Sequence, residues 1–113
     1  MSFILRWLFD RPSARTGLRP HRDVELALPY DAAYDAALSA MDRVLGAYVS
    51  IDDRPGGLIE AAFGLVNNER IRCSFDRVDA THTTVRIEAN FPAGTAIPER
   101  SRAVDALADA LLQ

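Results

Sequence analysis

The chain begins with a dense apolar cluster, Phe3, Ile4, Leu5, Trp7, Leu8 and Phe9, interrupted only by Arg6 and closed by Asp10. Phe3, Ile4, Trp7 and Leu8 recur at helical spacing, which predicts a short N-terminal helix. Pro12, Gly17 and Pro20 punctuate the stretch that follows, and no period is visible there, so it reads as a linker. From Asp23 the pattern becomes regular. Val24, Leu26 and Leu28 alternate with Asp23, Glu25 and Ala27, the signature of a half-buried strand that Pro29 ends. Tyr34, Ala37, Leu38, Met41, Val44 and Leu45 then recur every three or four residues, which predicts a helix over 30–45. Asp31 and Asp35 sit near its start, where the helix dipole favours negative charge. Gly46 stands where a left-handed cap is expected.

Four more strands are predicted, at 47–53, 58–65, 70–78 and 83–91. Val49 and Ile51 share one face of the first of these. Arg54-Pro55-Gly56-Gly57 is a turn, and Ile59, Ala61, Phe63 and Leu65 alternate after it. Asn67-Asn68 turns the chain again, followed by Ile71, Cys73 and Phe75 inward and Arg70, Arg72, Ser74 and Asp76 outward. Val85, Ile87, Ala89 and Phe91 line the last strand. Pro92 and Gly94 break it, and Pro98 with Glu99 suits the first turn of a closing helix carrying Val104, Leu107, Ala108 and Leu111. The order is β-α-β-β-β-β-α. Short turns between successive strands imply antiparallel pairing. The expected fold is α+β: a two-layer sandwich, with a five-stranded antiparallel sheet and two helices on one face, plus the short N-terminal helix. Residues 1–22 form an arm and linker, and residues 23–113 form the domain.

Charge divides along the same boundary. The 113 residues carry a formal net charge of −3, with thirteen Arg, no Lys and sixteen Asp and Glu. Arg6, Arg11, Arg15, Arg19 and Arg22 oppose only Asp10 in the arm, whereas acids dominate the domain. A basic, apolar-tipped arm therefore precedes an acidic body. That balance argues against nucleic-acid binding, which needs a basic domain face. The missing Lys beside abundant Ala and Arg reflects GC-rich coding. No apolar run approaches the ~20 residues of a membrane-spanning helix. The basic residues follow the apolar cluster, the reverse of a secretory signal. The expectation is a cytoplasmic chain.

The polar sides of the strands show Asp23, Glu25, Ser50, Asp52, Glu60, Arg70, Arg72, Arg86, Glu88 and Asn90, with Tyr48 and Leu58 also outward by alternation. This face reads either as a solvated surface or as a self-complementary docking face, with Arg70, Arg72 and Arg86 its candidate contacts. Converging catalytic chemistry is sparse. Cys73 shares the inward register of Ile71 and Phe75, opposite to Arg72, and reads as a structural thiol. His82 lies in a turn with only Asp79 nearby, and His21 lies in the linker. Asp52 and Asp53 are adjacent strand residues that point to opposite faces, so chelation of one cation is not expected. An enzyme would require an acid pair such as Glu60 and Glu88 to converge with Arg72. No cofactor and no metal site is expected.

Val24-Glu25-Leu26-Ala27-Leu28-Pro29-Tyr30-Asp31, Gly46 and Gly57-Leu58-Ile59-Glu60-Ala61 resemble small bacterial α+β domains of β-α-β-β-β-β-α order. That resemblance covers about 23–112 and implies the fold without an activity. The Ser- and Arg-rich segment common before the last helix of such domains is matched only by Arg100, Ser101 and Arg102. A second resemblance is to helix-grip ligand-binding domains of the polyketide-cyclase and lipid-transfer type, which would imply a small-molecule or lipid carrier. The favoured expectation is a non-enzymatic interaction domain. It self-associates or binds a protein partner through the arm (Phe3, Ile4, Trp7, Leu8, Phe9) or through the sheet face. Peripheral membrane contact by the apolar, Arg-flanked arm is the third reading.

Overall fold

In the computed structural model, which describes residues 19–63, 68–92, 94 and 97–113, the strands are β1 (His21–Leu26), β2 (Tyr48–Asp53), β3 (Leu58–Ala62), β4 (Arg70–Asp79) and β5 (His82–Asn90). Helix α1 (Tyr30–Arg43) follows β1, and helix α2 (Arg102–Leu112) closes the chain. The predicted N-terminal helix lies outside the described residues. The sheet order is β1-β5-β4-β3-β2, antiparallel throughout, with β1 and β2 at the edges. Three successive hairpins lay β2 to β5 side by side. The crossover through α1 sends β1 to the far edge.

Both helices lie on one face. Val24, Leu26, Ile59, Ala61, Ile71, Cys73, Val85, Ile87 and Ala89 are buried there against Tyr34, Ala37, Met41, Val104 and Leu107. The alternation predicted for β4 and β5 is observed, and that of β3 at Ile59 and Ala61; β3 ends at Ala62, and Leu65 lies outside the described residues. The α2 stripe of Val104, Leu107, Ala108 and Leu111 is observed too. Helix α1 presents small alanines inward, Ala33, Ala37 and Ala40, which let it approach the sheet closely around Tyr34 and Met41. It ends as expected. Gly46 adopts φ +61°, and the Ala47 N–H turns back to donate to the Met41 carbonyl.

Some boundaries move for tertiary reasons. Pairing of β1 begins at His21, two residues before the expected start, because β5 extends to Asn90 and offers it partners. The Ala89 N–H also donates to the Pro20 carbonyl. The closing helix begins at Arg102 rather than near Pro98, so Arg100 and Ser101 precede it. Ser101 is the N-cap: its hydroxyl accepts from the Val104 N–H at 3.2 Å and donates to the Glu69 carboxylate. Thr83, fully buried at the other end of the sheet, donates to the Leu28 carbonyl and ties the β1–α1 connection to β5.

Candidate interaction surface

Strand β2 departs most from its predicted pattern. A bulge at Ser50 shifts its register, so that Val49 pairs with Ala61 but Ile51 pairs with Glu60. Paired residues share a face. Val49 and Ile51 therefore lie on opposite faces, not together as the alternation predicts. Asp52, expected outward, pairs with Ile59 and faces the helices, while Ile51 joins Tyr48 on the open face. The Ser50 hydroxyl donates to the Glu60 carbonyl and closes the bulge.

The inward turn of Asp52 completes a clamp. The fully buried Tyr34 donates its hydroxyl to Asp52 Oδ1 at 2.5 Å. Tyr30 donates to the Arg54 carbonyl at 2.6 Å. The Arg54 guanidinium lies 4.5 Å from the Tyr34 ring centroid and pairs with Asp35 at 2.5 Å and Asp31 at 3.2 Å. Phe75 packs against both tyrosines, and Arg77 covers the Tyr30 ring at 4.8 Å. Gly57, at φ +72°, leaves room for this group, since a Cβ there would sit 2.9 Å from both the Phe75 carbonyl oxygen and the Tyr30 hydroxyl. The β2–β3 turn is thereby fastened to the start of α1. Sequence reasoning assigned these residues only to helix, turn and strand. The signal it carried was the recurrence of Tyr30, Asp31, Tyr34 and Asp35 on one helix side opposite an Arg-bearing turn.

On the open face the register builds rows across the sheet. Ile51, Glu60, Arg72, Glu88 and His21 form one, and Asp53, Leu58, Ser74, Arg86 and Asp23 the next. Tyr48, Ala62, Arg70 and Asn90 form a third. Arg70, Arg72 and Arg86 thus share this face, as expected. Arg72 pairs with Glu60 at 3.3 Å, and Arg86 reaches Asp23 and Glu88, each at 3.4 Å. Arg19 pairs with Glu88 at 3.6 Å. Glu60 is only 7% exposed although neither α1 nor α2 lies on its face. Glu60 and Glu88 do flank Arg72, but Glu60 is bound by Arg72 and Glu88 by Arg19 and Arg86, so the row is an ion-pair ladder.

At the β2 corner this ladder gives way to apolar side chains. Tyr48 is 74% exposed and Ile51 36%; the half-buried Ala62 pairs with Tyr48, Glu60 pairs with Ile51, and the half-buried Leu58 lies one row further on, paired with Asp53. The arm residues Phe3, Ile4, Trp7, Leu8 and Phe9 lie outside the described residues.

The other candidates fall where their register puts them. Burial pushes the Cys73 thiol up to about 12, and Arg72 faces away from it. The His82 ring and Thr81 surround Asp79. The Thr81 N–H, then His82, hold the Asp79 carboxyl down at about 2 in an exposed turn. Asp53 accepts from the Gly56 N–H, so Asp52 and Asp53 serve different partners. Among the described residues no group of three or more His, Cys, Asp or Glu could hold a metal ion. No described helix is long and apolar enough to cross a membrane. A solvent-open cleft of about 480 Å³ lies between the end of α1 and the start of α2, lined by Leu45, Phe63, Phe91, Ser101 and Arg102 among others. No protein-family model, curated protein or solved structure matches the chain. The two resemblances drawn from sequence rest on their motifs alone.

Proposed function

We propose that the chain is a non-enzymatic interaction domain, docking a protein segment of mixed apolar and arginine character on the open face of its sheet. The observation that carries this reading is the apolar corner. Exposed apolar residues on a solvated face are usually scattered singly, whereas Tyr48 and Ala62 are paired and Ile51 occupies the next open-face position of the edge strand, with Leu58 diagonal to it. Beside them the face carries carboxylates held in ion pairs, and the domain, residues 23–113, carries eight Arg against fifteen acids. An apolar segment bearing Arg matches both features. The carrier reading calls for a cavity between sheet and helices, whereas the cleft at the helix ends opens to solvent.

The test uses the full-length chain with Phe3→Ser and Trp7→Ser, so that its own arm does not compete. Isotope-labelled protein is titrated with a peptide of residues 1–18. Saturable shifts at Tyr48, Ile51, Leu58 and Arg72, abolished by Ile51→Glu, are expected. Absence of a saturable shift on that face would sink the reading.

A further inference from the structure

We infer that β2 is a pairing edge for a second copy of this chain, which adds its own β2 antiparallel across a two-fold axis and joins the two five-stranded sheets into one of ten strands. This goes beyond docking on the open face, because the residue at the centre of the contact, Val49, lies on the helix side of the sheet, opposite Ala61. Three observations carry it.

The first is where exposed apolar surface gathers. Among the described residues seven large apolar side chains are exposed, and four of them, Val44, Tyr48, Val49 and Ile51, lie on β2 or at the helix end that leads into it. Tyr48 and Ile51 point to the open face, and Val49, paired with the buried Ala61, to the helix face. A ligand on either face covers one set only. A strand added in the plane of the sheet covers both, because its own side chains alternate between the two faces.

The second is the contrast between the two edges. Sheet edges that stay free carry charged residues that discourage pairing. Strand β1 has His21, Arg22, Asp23 and Glu25 at four of its six positions, and Arg22 is drawn across to Asp105 and Asp109 of α2. Strand β2 is exposed along all six residues, yet Tyr48-Val49-Ser50-Ile51 holds no charge and no proline. Its acids, Asp52 and Asp53, stand only at the end. The Ser50 bulge confines regular pairing to a short stretch.

The third is self-complementarity, which a two-fold contact requires. Setting Val49 against Val49 of the second copy places Tyr48 opposite Ile51 of the second copy on the open face and Asp52 opposite Ala47 on the helix face, with Ser50 the extra residue of each strand. Every pair then shares a face, and the acids of the two copies lie at opposite ends of the contact. The register centred on Ile51 also matches faces, but it sets Val49 against Asp52 and Tyr48 against Asp53, the poorer fit. Two short strands bury less than the ~1,200–2,000 Å² of a stable interface, so the dimer is reversible, with a Kd on the order of 100 μM.

Sedimentation of the full-length chain over about 10 μM to 1 mM, a range that brackets this Kd, should show a reversible monomer–dimer equilibrium. Amide exchange should slow with concentration in β2 and not in β1. Val49→Lys sets two like charges at the two-fold axis and should weaken the dimer about tenfold or more, as should Val49→Glu, and mixing the two variants should restore association as a heterodimer. Val49 is already exposed, and an unchanged urea midpoint at low concentration checks that each variant folds. A chain that stays monomeric at the highest concentration overturns the inference. A dimer indifferent to both variants, or one that protects β1 in place of β2, overturns it in favour of another surface. Saturable peptide shifts on the open face of a monomeric chain sink the dimer and leave the interaction reading standing, whereas a β2-dependent dimer without those shifts does the reverse.

Discussion

Replacing Tyr34 with Phe removes one oxygen and leaves the ring in place. That hydroxyl donates to Asp52 Oδ1 at 2.5 Å, with a longer 3.4 Å contact to the Leu58 carbonyl. A hydrogen bond to a charged acceptor contributes about 1.5–3 kcal/mol. Asp52 is exposed, so water takes over its side of the bond in the variant. The expected loss therefore falls at or just below the bottom of that range, about 1–1.5 kcal/mol. In a domain of this size that corresponds to about 4–12 °C in Tm. Asp52→Ala should cost a similar amount, and the double variant little more than either, because both single changes delete the same bond. The cycle should return a coupling of about 1 kcal/mol from urea unfolding followed by circular dichroism. Burial first, and then the Asp52 carboxylate, raise the Tyr34 phenol above its ordinary 10.0. The folded form holds its proton more tightly, so this contribution is complete below pH 10 and declines as the pH rises beyond it. Tyr34→Phe should flatten that alkaline decline. A variant within about 0.3 kcal/mol of the parent, or losses that simply add, would refute the claim that this clamp holds β2 against α1.

Gly57→Ala meets both the left-handed backbone and the 2.9 Å approaches to Phe75 and Tyr30. It should cost more than about 2 kcal/mol in urea unfolding, against near neutrality if the turn relaxes freely. Ser101→Ala removes the α2 cap and the donor to Glu69, and a loss of about 0.5–2 kcal/mol is expected in the same assay. Cys73 should react with a disulfide reagent only as fast as the chain unfolds; native-state labelling at the rate of a free thiol would contradict its burial. Its raised pKa means that its contribution is complete below the ordinary value of 9.0 and is lost as the pH climbs toward about 12, which the Cys73→Ala variant should not show.

Element order, the inward sets of β3, β4 and β5, and the α2 stripe were legible along the chain because each depends on a period that local sequence carries. Gly46 was legible for the same kind of reason, as a backbone requirement visible at one residue. The Ser50 bulge was not. An extra residue in an edge strand depends on the register against β3, and Val49 and Ile51 are both apolar, so alternation gave no sign that one had turned outward. The Asp52 error followed directly, and with it the clamp to Tyr34 stayed hidden. The cap at Ser101 was missed because Pro98 and Glu99 offer an earlier helix start, whereas the partner that favours Ser101 is Glu69, far away in sequence.

By itself, then, the sequence determined an α+β chain whose strands have one apolar side, whose two helices can cover it, and whose basic apolar arm differs from its acidic body. Only the tertiary structure decided which residues meet on the uncovered face. Cross-strand register lined Glu60, Arg72 and Glu88 into an ion-pair ladder, and one bulge moved Ile51 to the same face as Tyr48 to make the apolar corner. Such neighbours are set by hydrogen bonding between strands distant in sequence, and no local periodicity encodes that.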